Sequence, residues 1–412
     1  MTALIASGEI VFILPFVVAR IFRPTLLDVF GLSNLQLGTA FSVYGVVAML
    51  SYFPGGPLAD RFPARHLITA ALLATSLGGV VFAHIPSMGT LTWLYAFWGL
   101  TTILLFWAAL IRAAREWGGT EAQGRAYGYL DGGRGLLAAL MASIMVAIFA
   151  ALLPADAATA TLVERTAALR QVIWIFTGLT IAAAVLAWVS IPEAEPEHVE
   201  RSKLALGGVR HVLRMPAVWL QAIIVVCAYV GYKGTDDFAL YARDAFGYDD
   251  VRAAQIGTIS FWVRPFAAVG AGLLGDRITC SRAIALSFGV LIIGSLAIAF
   301  GALQPGVHWL LAMTIAGTSA GIYALRANYF ALFGEARVPL AYTGAAVGLV
   351  SVIGYTPDVF MGPLMGYLLD RSPGAIGHQH VFGVLAAFAV VGLVATLGFR
   401  RITWIAPASK EG

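Results

Sequence analysis

Charge is scarce in this chain: Asp, Glu, Lys and Arg make up 12% of its 412 residues, against 59% hydrophobic. A soluble domain cannot be surfaced with so little polar material, so most of the chain belongs in a bilayer. Cysteine is nearly absent. Cys227 and Cys280 are the only two, and each falls in or beside a long apolar run, which argues against a disulfide framework and a zinc site. No basic or acidic tract dominates either. The formal net charge of +4 is scattered over the connections, giving no nucleic-acid signal and leaving charge to set membrane orientation. The first apolar run has no basic segment or A-x-A cleavage site before it, and it contains Glu9. It reads as a retained helix rather than a signal peptide.

What is present is one apolar run after another, each of about 20 residues and long enough to cross roughly 30 Å of hydrocarbon as a helix. The runs are continuous rather than alternating, which rules against a β-barrel. Breakers between them place helices at about 2–25, 36–57, 67–84, 89–112, 126–153 and 169–191, then 217–241, 252–274, 283–303, 308–332, 341–368 and 380–399. The expected fold is all-α and integral to the membrane, with twelve transmembrane helices and both termini on one side. The connections on one face carry Arg165, Arg170, Arg243, Arg252 and Arg371, whereas the other face carries fifteen Lys and Arg. The positive-inside rule then places both termini in the cytoplasm. The stretch 153–168, rich in Ala and Thr, reads as the longest external loop and carries no motif.

The chain also looks doubled. Gly56-Pro57-Leu58-Ala59-Asp60-Arg61, read as a tight polar turn, returns 216 residues later as Gly272-Leu273-Leu274-Gly275-Asp276-Arg277. The same offset carries Asp28-Val29-Phe30-Gly31 onto Asp244-Ala245-Phe246-Gly247, and Gly128 and Gly132 onto Gly344 and Gly348. A fixed-offset repeat points to two homologous six-helix bundles, 1–192 and 217–412. The linker 193–216 runs from Glu193, Glu195, Glu197 and Glu200 into Arg201, Lys203, Arg210 and Arg214. It is either a solvated connector or a basic stretch lying on the anionic leaflet.

Two six-helix halves with Asp-Arg turns after the second and eighth helices resemble the major facilitator superfamily of secondary transporters, whose signature loop reads G-x-L-x-D-R. The resemblance implies a conformational latch at Gly56, Asp60, Arg61, Gly272, Asp276 and Arg277, with the glycines allowing close packing and the carboxylates binding an arginine and helix-end amides. Pro63 and His66 depart from that pattern. Three further places resemble its organophosphate:phosphate antiporter branch. These are Trp219, Tyr229, Gly234 and Asp237; then Trp117, Glu121 and Gly124; then Thr343 to Gly348, Gly354-Tyr355 and Gly366-Tyr367-Leu368-Leu369-Asp370. The resemblance implies a small-molecule substrate, no cofactor or metal, and a monomer in the inner membrane.

An ionised side chain near the bilayer centre costs on the order of 3 kcal/mol, so each must face a partner or an aqueous cavity. The cations so placed are Arg20, Arg23, Arg134, Lys233, Arg264 and Arg326; the acids are Glu9, Asp28, Asp131, Asp236, Asp237 and Asp358. By the resemblance, Arg134 stands where the branch uses a helix-five histidine. Lys233 stands beside its helix-seven arginine position, filled here by Tyr232, and Arg20 is three residues past its helix-one arginine position. Arg134, Lys233, Arg20 and Arg264, with Tyr232 and Tyr52, are the candidate anion-binding residues. The alternatives are internal pairs, Arg134 with Asp131 three residues earlier and Lys233 with Asp236 or Asp237. Arg23, before Pro24, marks the external end of helix one beside Asp28, and Arg326 reads as a snorkelling cation. Arg264 precedes Pro265, where a kink would free carbonyls or leave room for a ligand. Glu9, Asp131 and Asp358 are the proton-coupling candidates, since burial makes a carboxyl's charge easy to switch; the alternative is a salt bridge to one of the arginines. Asp236 and Asp237 suit an external gate.

These features point to a carrier of a small organic anion (a phosphate ester, sulfonate or carboxylate) working by alternating access with H+ or a counter-anion. A membrane sensor of a sugar-phosphate-like ligand is the alternative. No nucleophile, base and orienting acid can be assembled on one face, so an enzyme is not expected.

Overall fold

The computed structural model describes residues 1–118, 123–193, 211–339 and 342–405. Among them, twelve helices are long and apolar enough to cross a membrane. In order, spans 1 to 12 are Thr2–Ile21, Asn34–Arg61, Ala64–Ala83, Met88–Gly118, Gly128–Leu152, Leu162–Ser190, Pro216–Asp236, Asp250–Ile278, Cys280–Ala299, His308–Asn328, Ala346–Arg371 and Ala375–Thr403. Each expected apolar run is found. Glu121 and the linker residues 194–210 lie outside the described residues.

The ends of the spans differ from expectation where capping, not hydropathy, sets the boundary. Span 6 begins within the stretch read as a loop. Thr161 Oγ1 accepts from the Glu164 N–H at 3.3 Å, while the Glu164 carboxylate accepts from the Thr161 N–H at 2.8 Å. This reciprocal box starts the helix at Leu162. Only a short 3-10 turn, Ala157–Thr159, remains before it. A similar box at Ser33 and Gln36 starts span 2.

The reading of Gly56 to Arg61 as a tight turn is corrected. Those residues are the last turns of span 2, which runs through Pro54 and Pro57 to Arg61. The chain breaks one residue later, at Phe62 (φ −118°, ψ 146°), because the residue before Pro63 is pushed out of the helical region. The second copy, Gly272 to Arg277, is likewise helical within span 8. Span 8 also runs through Pro265 as helix.

The matched segments ending at Gly31 and Gly247 have similar local structure. Short helices Arg23–Phe30 and Phe238–Phe246 precede spans 2 and 8, and each ends on a left-handed glycine, Gly31 (φ 60°) and Gly247 (φ 65°). These are positions that only glycine fills without strain. Two spans carry π-helical segments, Ile13–Val17 around Pro15 in span 1 and Leu100–Trp107 in span 4. The Tyr95 hydroxyl donates to the Pro15 carbonyl at 3.0 Å.

By contacts the chain forms two compact units. The first comprises Met1–His198, Thr235–Pro265 and Asp358–His378; the second comprises Val199–Gly234, Phe266–Pro357 and Gln379–Gly412. Within the first, spans 2 and 11 meet backbone to backbone. Gly38 faces Gly362, a Cβ on Gly45 would lie 2.6 Å from the Asp358 carbonyl, and one on Gly366 would lie 2.5 Å from the Asn34 carbonyl. Small residues at such spacing are what close helix packing in a membrane requires. The second unit has an apolar core that includes Val225, Phe288, Leu291, Ile322 and Phe399.

Candidate functional site

In the first unit, three spans converge on Glu9. From span 5, Arg134 Nε lies 3.3 Å from Glu9 Oε2; from span 8, Arg264 Nη1 lies 3.4 Å from Glu9 Oε1, and its Nη2 lies 3.6 Å from Asp131 Oδ1. The Glu9 side chain is 5% exposed, whereas that of Asp131 is 67% exposed. Glycines admit the long stems. A Cβ on Gly8 would sit 3.0 Å from Arg134 Cδ, and one on Gly135 would sit 3.5 Å from the Arg264 stem. The Arg134 guanidinium also lies 5.9 Å from the Phe12 ring and 5.8 Å from the Trp107 ring, the latter ending the π-helical segment of span 4. Trp262 Nε1 donates to Ser143 Oγ at 2.8 Å, a further tie between spans 5 and 8. Around this carboxylate the two guanidinium groups present planar sets of N–H donors, a geometry that suits oxyanions.

A second network joins the ends of the spans farthest from Met1. Arg20 Nε donates to Asp236 Oδ1 at 2.6 Å, and both side chains are buried. Arg23, expected at the end of helix one beside Asp28, lies just past the end of span 1 and is buried. It opens a new short helix and donates to Asn34 Oδ1 at 3.1 Å and to the Asp236 carbonyl at 3.5 Å. Asp28 instead accepts from Arg165 at 2.8 Å and Arg243 at 3.0 Å, with Arg165 also reaching Asp250 at 3.3 Å. Asp370, the last residue of the Gly366-to-Asp370 pattern, caps span 2. It accepts from the backbone N–H groups of Asn34 (3.0 Å) and Leu35 (2.8 Å), where the helix end carries partial positive charge.

His378, which the list of membrane charges omitted, is fully buried in span 12. Its Nδ1 lies 2.6 Å from Asp237 Oδ2 and its Nε2 lies 3.3 Å from Asp244 Oδ2. Carboxylates only accept, so this pairing is satisfied in full when both ring nitrogens carry protons. The signal was available: His378 and His380 stand in the first turns of an apolar span, with Asp237 and Asp244 following the end of span 7. Asp244 and Tyr241 lie between spans 7 and 8. Burial opposes the charged form of Asp244, but the hydrogen bond to His378 and the Arg243 guanidinium outweigh it and hold the carboxyl below its ordinary value. Burial, with the Asp237 carboxylate nearby, pushes the Tyr241 hydroxyl up to about 12.

In the second unit, Lys233 is buried at the end of the helix that forms most of span 7. Arg326 on span 10 lies with its guanidinium 4.0 Å from the Tyr232 ring centre and 5.5 Å from that of Tyr229. Its Nη1 is buried without a hydrogen-bond acceptor, so the snorkelling expectation is corrected to a cation held among tyrosines. Tyr52 is half-buried on span 2, and Asp358 opens the last helix of span 11 against Gly45. Asp60, Arg61, Asp276 and Arg277 are exposed at the ends of spans 2 and 8, and among the described residues none of the four is in an ion pair.

Residues 5–357 match the sequence pattern that describes the Major Facilitator Superfamily. The chain is 28% identical over 380 residues to the inner membrane protein YihN of Escherichia coli, covering 90% of this chain and 87% of that protein. It is 27% identical over 406 residues to the inner membrane protein YqcE of the same organism, covering 95% and 92%. Its fold matches the crystal structure of a bacterial homologue of the human lysosomal transporter Spinster in an inward-facing, unoccupied conformation, with TM-score 0.75, 17% identity and 98% of each chain covered. It also matches the nucleoside transporter NupG, with TM-score 0.73, 14% identity, and 97% and 98% covered.

Proposed function

The chain belongs to the Major Facilitator Superfamily and is an integral membrane secondary transporter, not an enzyme; from that premise we propose that its cargo is a small organic anion. The observation that carries the proposal is Glu9, a buried carboxylate held at 3.3 and 3.4 Å by Arg134 and Arg264. Half-buried cations on separate spans, sharing one buried acid, suit a phosphate, sulfonate or carboxylate. The coupling reading follows from the same geometry. A proton on Glu9 releases the two arginines to the anion, and departure of the anion lets Glu9 ionise and re-pair. Proton symport is therefore the reading we favour over exchange against a second anion.

The organophosphate:phosphate branch is the proposed affiliation, on the spacing of Trp219, Tyr229, Gly234 and Asp237 and on the Gly366-to-Asp370 pattern. The proposed setting is the inner membrane, as for YihN and YqcE, with both termini cytoplasmic and the chain a monomer of two six-helix halves. Arg20 is assigned to the Asp236 tie rather than to the cargo.

Uptake into proteoliposomes decides between these readings. The panel is phosphate esters, sulfonates, uronates and short carboxylates, each with and without a pH gradient and with phosphate preloaded inside. Anion uptake driven by an inward proton gradient is expected, lost in Arg134→Ala with Arg264→Ala. Uptake of neutral sugars or cations alone would overturn the proposal, and anion binding without flux would favour the sensor.

A further inference from the structure

Arg326 differs from three of the intramembrane arginines described above. Arg134 and Arg264 have Glu9, and Arg20 has Asp236. Among the described residues no carboxylate pairs with Arg326, and its Nη1 is buried with no hydrogen-bond acceptor. What surrounds it is aromatic. Tyr229 and Tyr232 stand three apart on one face of span 7, and Tyr323 and Arg326 three apart on one face of span 10. Ring centres run in a chain, Tyr355 to Tyr229 at 5.0 Å, Tyr229 to Tyr232 at 5.4 Å and Tyr232 to Tyr323 at 6.3 Å. A buried bond from Gln221 Nε2 to the Tyr329 carbonyl at 2.9 Å fixes span 7 against span 10.

We propose that Arg326, with Tyr229, Tyr232 and Tyr355, is a second anion subsite, built for an oxyanion carried on a ring with an apolar face. The proposal rests on the anion reading above and narrows its substrate class. Ring faces stabilise a guanidinium through their quadrupoles, but they leave its Nη1 without an acceptor. A charge held in this way is poised and unsatisfied, because buried donors in native structures otherwise find acceptors. A phosphate or carboxylate oxygen supplies that acceptor. Tyr229, Tyr232 and Tyr355 are half-buried rather than sealed. Their rings offer stacking surface to the C–H face of a sugar or to an aryl ring, and their hydroxyls can both donate and accept. An inorganic or short-chain anion would use the guanidinium alone.

The test uses the full chain in proteoliposomes with glucose 6-phosphate, phenyl phosphate, glucuronate and inorganic phosphate as probes. For the wild type, the ring-bearing anions are expected to compete more strongly than inorganic phosphate. Arg326→Gln should raise KM for them about tenfold or more, the loss expected when a charge-assisted bond is removed, and Arg326→Lys should recover part of it. Tyr232→Leu should erase the preference for ring-bearing probes while Tyr232→Phe keeps it. If Arg326→Gln does not purify as a folded protein, Arg326→Lys and the Tyr232 pair decide the matter. Unchanged KM in Arg326→Gln, or equal ring preference in Tyr232→Leu and wild type, overturns the subsite and leaves the anion carrier standing. Failure of the wild type to move any anion overturns the carrier reading itself.

Discussion

Glu9 is one methylene longer than Asp, and that reach lets one carboxylate contact guanidinium groups from two other spans, at 3.3 and 3.4 Å. Glu9→Gln keeps the shape and removes the charge. If Glu9 is the coupling acid, the variant still binds anion but its uptake no longer responds to a pH gradient; a gradient response equal to wild type would place coupling elsewhere. Arg20 and Asp236 make the opposite case, a pair whose burial favours keeping both charges or neither. Arg20→Met alone leaves a buried carboxylate and should cost about 3–5 kcal/mol, while adding Asp236→Leu should restore most of it. Thermal unfolding of the three proteins in one detergent checks this. Asp244 gives a pH-dependent prediction. Its carboxyl is held below the ordinary value in the folded protein, so its contribution is complete above the usual carboxylate range, about pH 4, and is lost as pH falls through the depressed value. Wild type should be more stable than Asp244→Asn at pH 6, and the gap should narrow as the pH falls below about 4 and on through the depressed value. A gap independent of pH would mean that the carboxylate's charge is not what matters.

At the scale of elements, the apolar middle of every span was legible, because about 20 consecutive apolar residues have few other uses. The ends were not. Hydropathy cannot see that Thr161 and Glu164 start span 6 in a polar stretch, or that Pro54 and Pro57 sit inside a helix which continues to Arg61. The candidate site was legible as a set of residues and illegible as a set of pairs. Glu9 was a candidate from its place in an apolar run. Its partners come from positions 125 and 255 residues away, and nothing in local pattern selects Arg264 over Lys233. His378 was missed because it was counted as neutral, although its setting opposite two carboxylates is among the more polar in the membrane. The pattern Gly366 to Asp370 acquires a physical meaning: the glycine lets the backbone of span 11 touch Asn34 and Leu35, and the aspartate four residues on caps the same helix end. Asp370→Ala should therefore weaken the start of span 2 by about 1 kcal/mol. Gly366→Val should be worse, because its branches have no room. Comparison of melting temperatures orders the two, and equal effects would separate the cap from the packing.

At the scale of the whole molecule, the 216-residue offset appears twice, once as sequence repeat and once as contact. Arg20 and Asp236, bonded at 2.6 Å, are themselves 216 positions apart. Equivalent positions of two repeats touch each other only near the axis that relates them, as at a two-fold interface between subunits. On the proposed reading of two homologous halves, the Arg20–Asp236 tie belongs at that axis, at the end of the spans where Asp28 binds Arg243 and Asp370 caps span 2. If the proposed halves rock against each other, ties from residues 1–198 to 235–265 and 358–378 are expected to open during the cycle. The Asn34–Asp370 contact, 3.2 Å between side chains, offers the direct test. With Cys227 and Cys280 replaced by Ser, Asn34→Cys together with Asp370→Cys should form a disulfide under mild oxidation. Uptake should stop on oxidation and return on reduction, with each single replacement unaffected by oxidant. If the oxidised pair transports at the wild-type rate, these helix ends do not separate during the cycle, and the rocking motion must spare the axis that Arg20 and Asp236 mark.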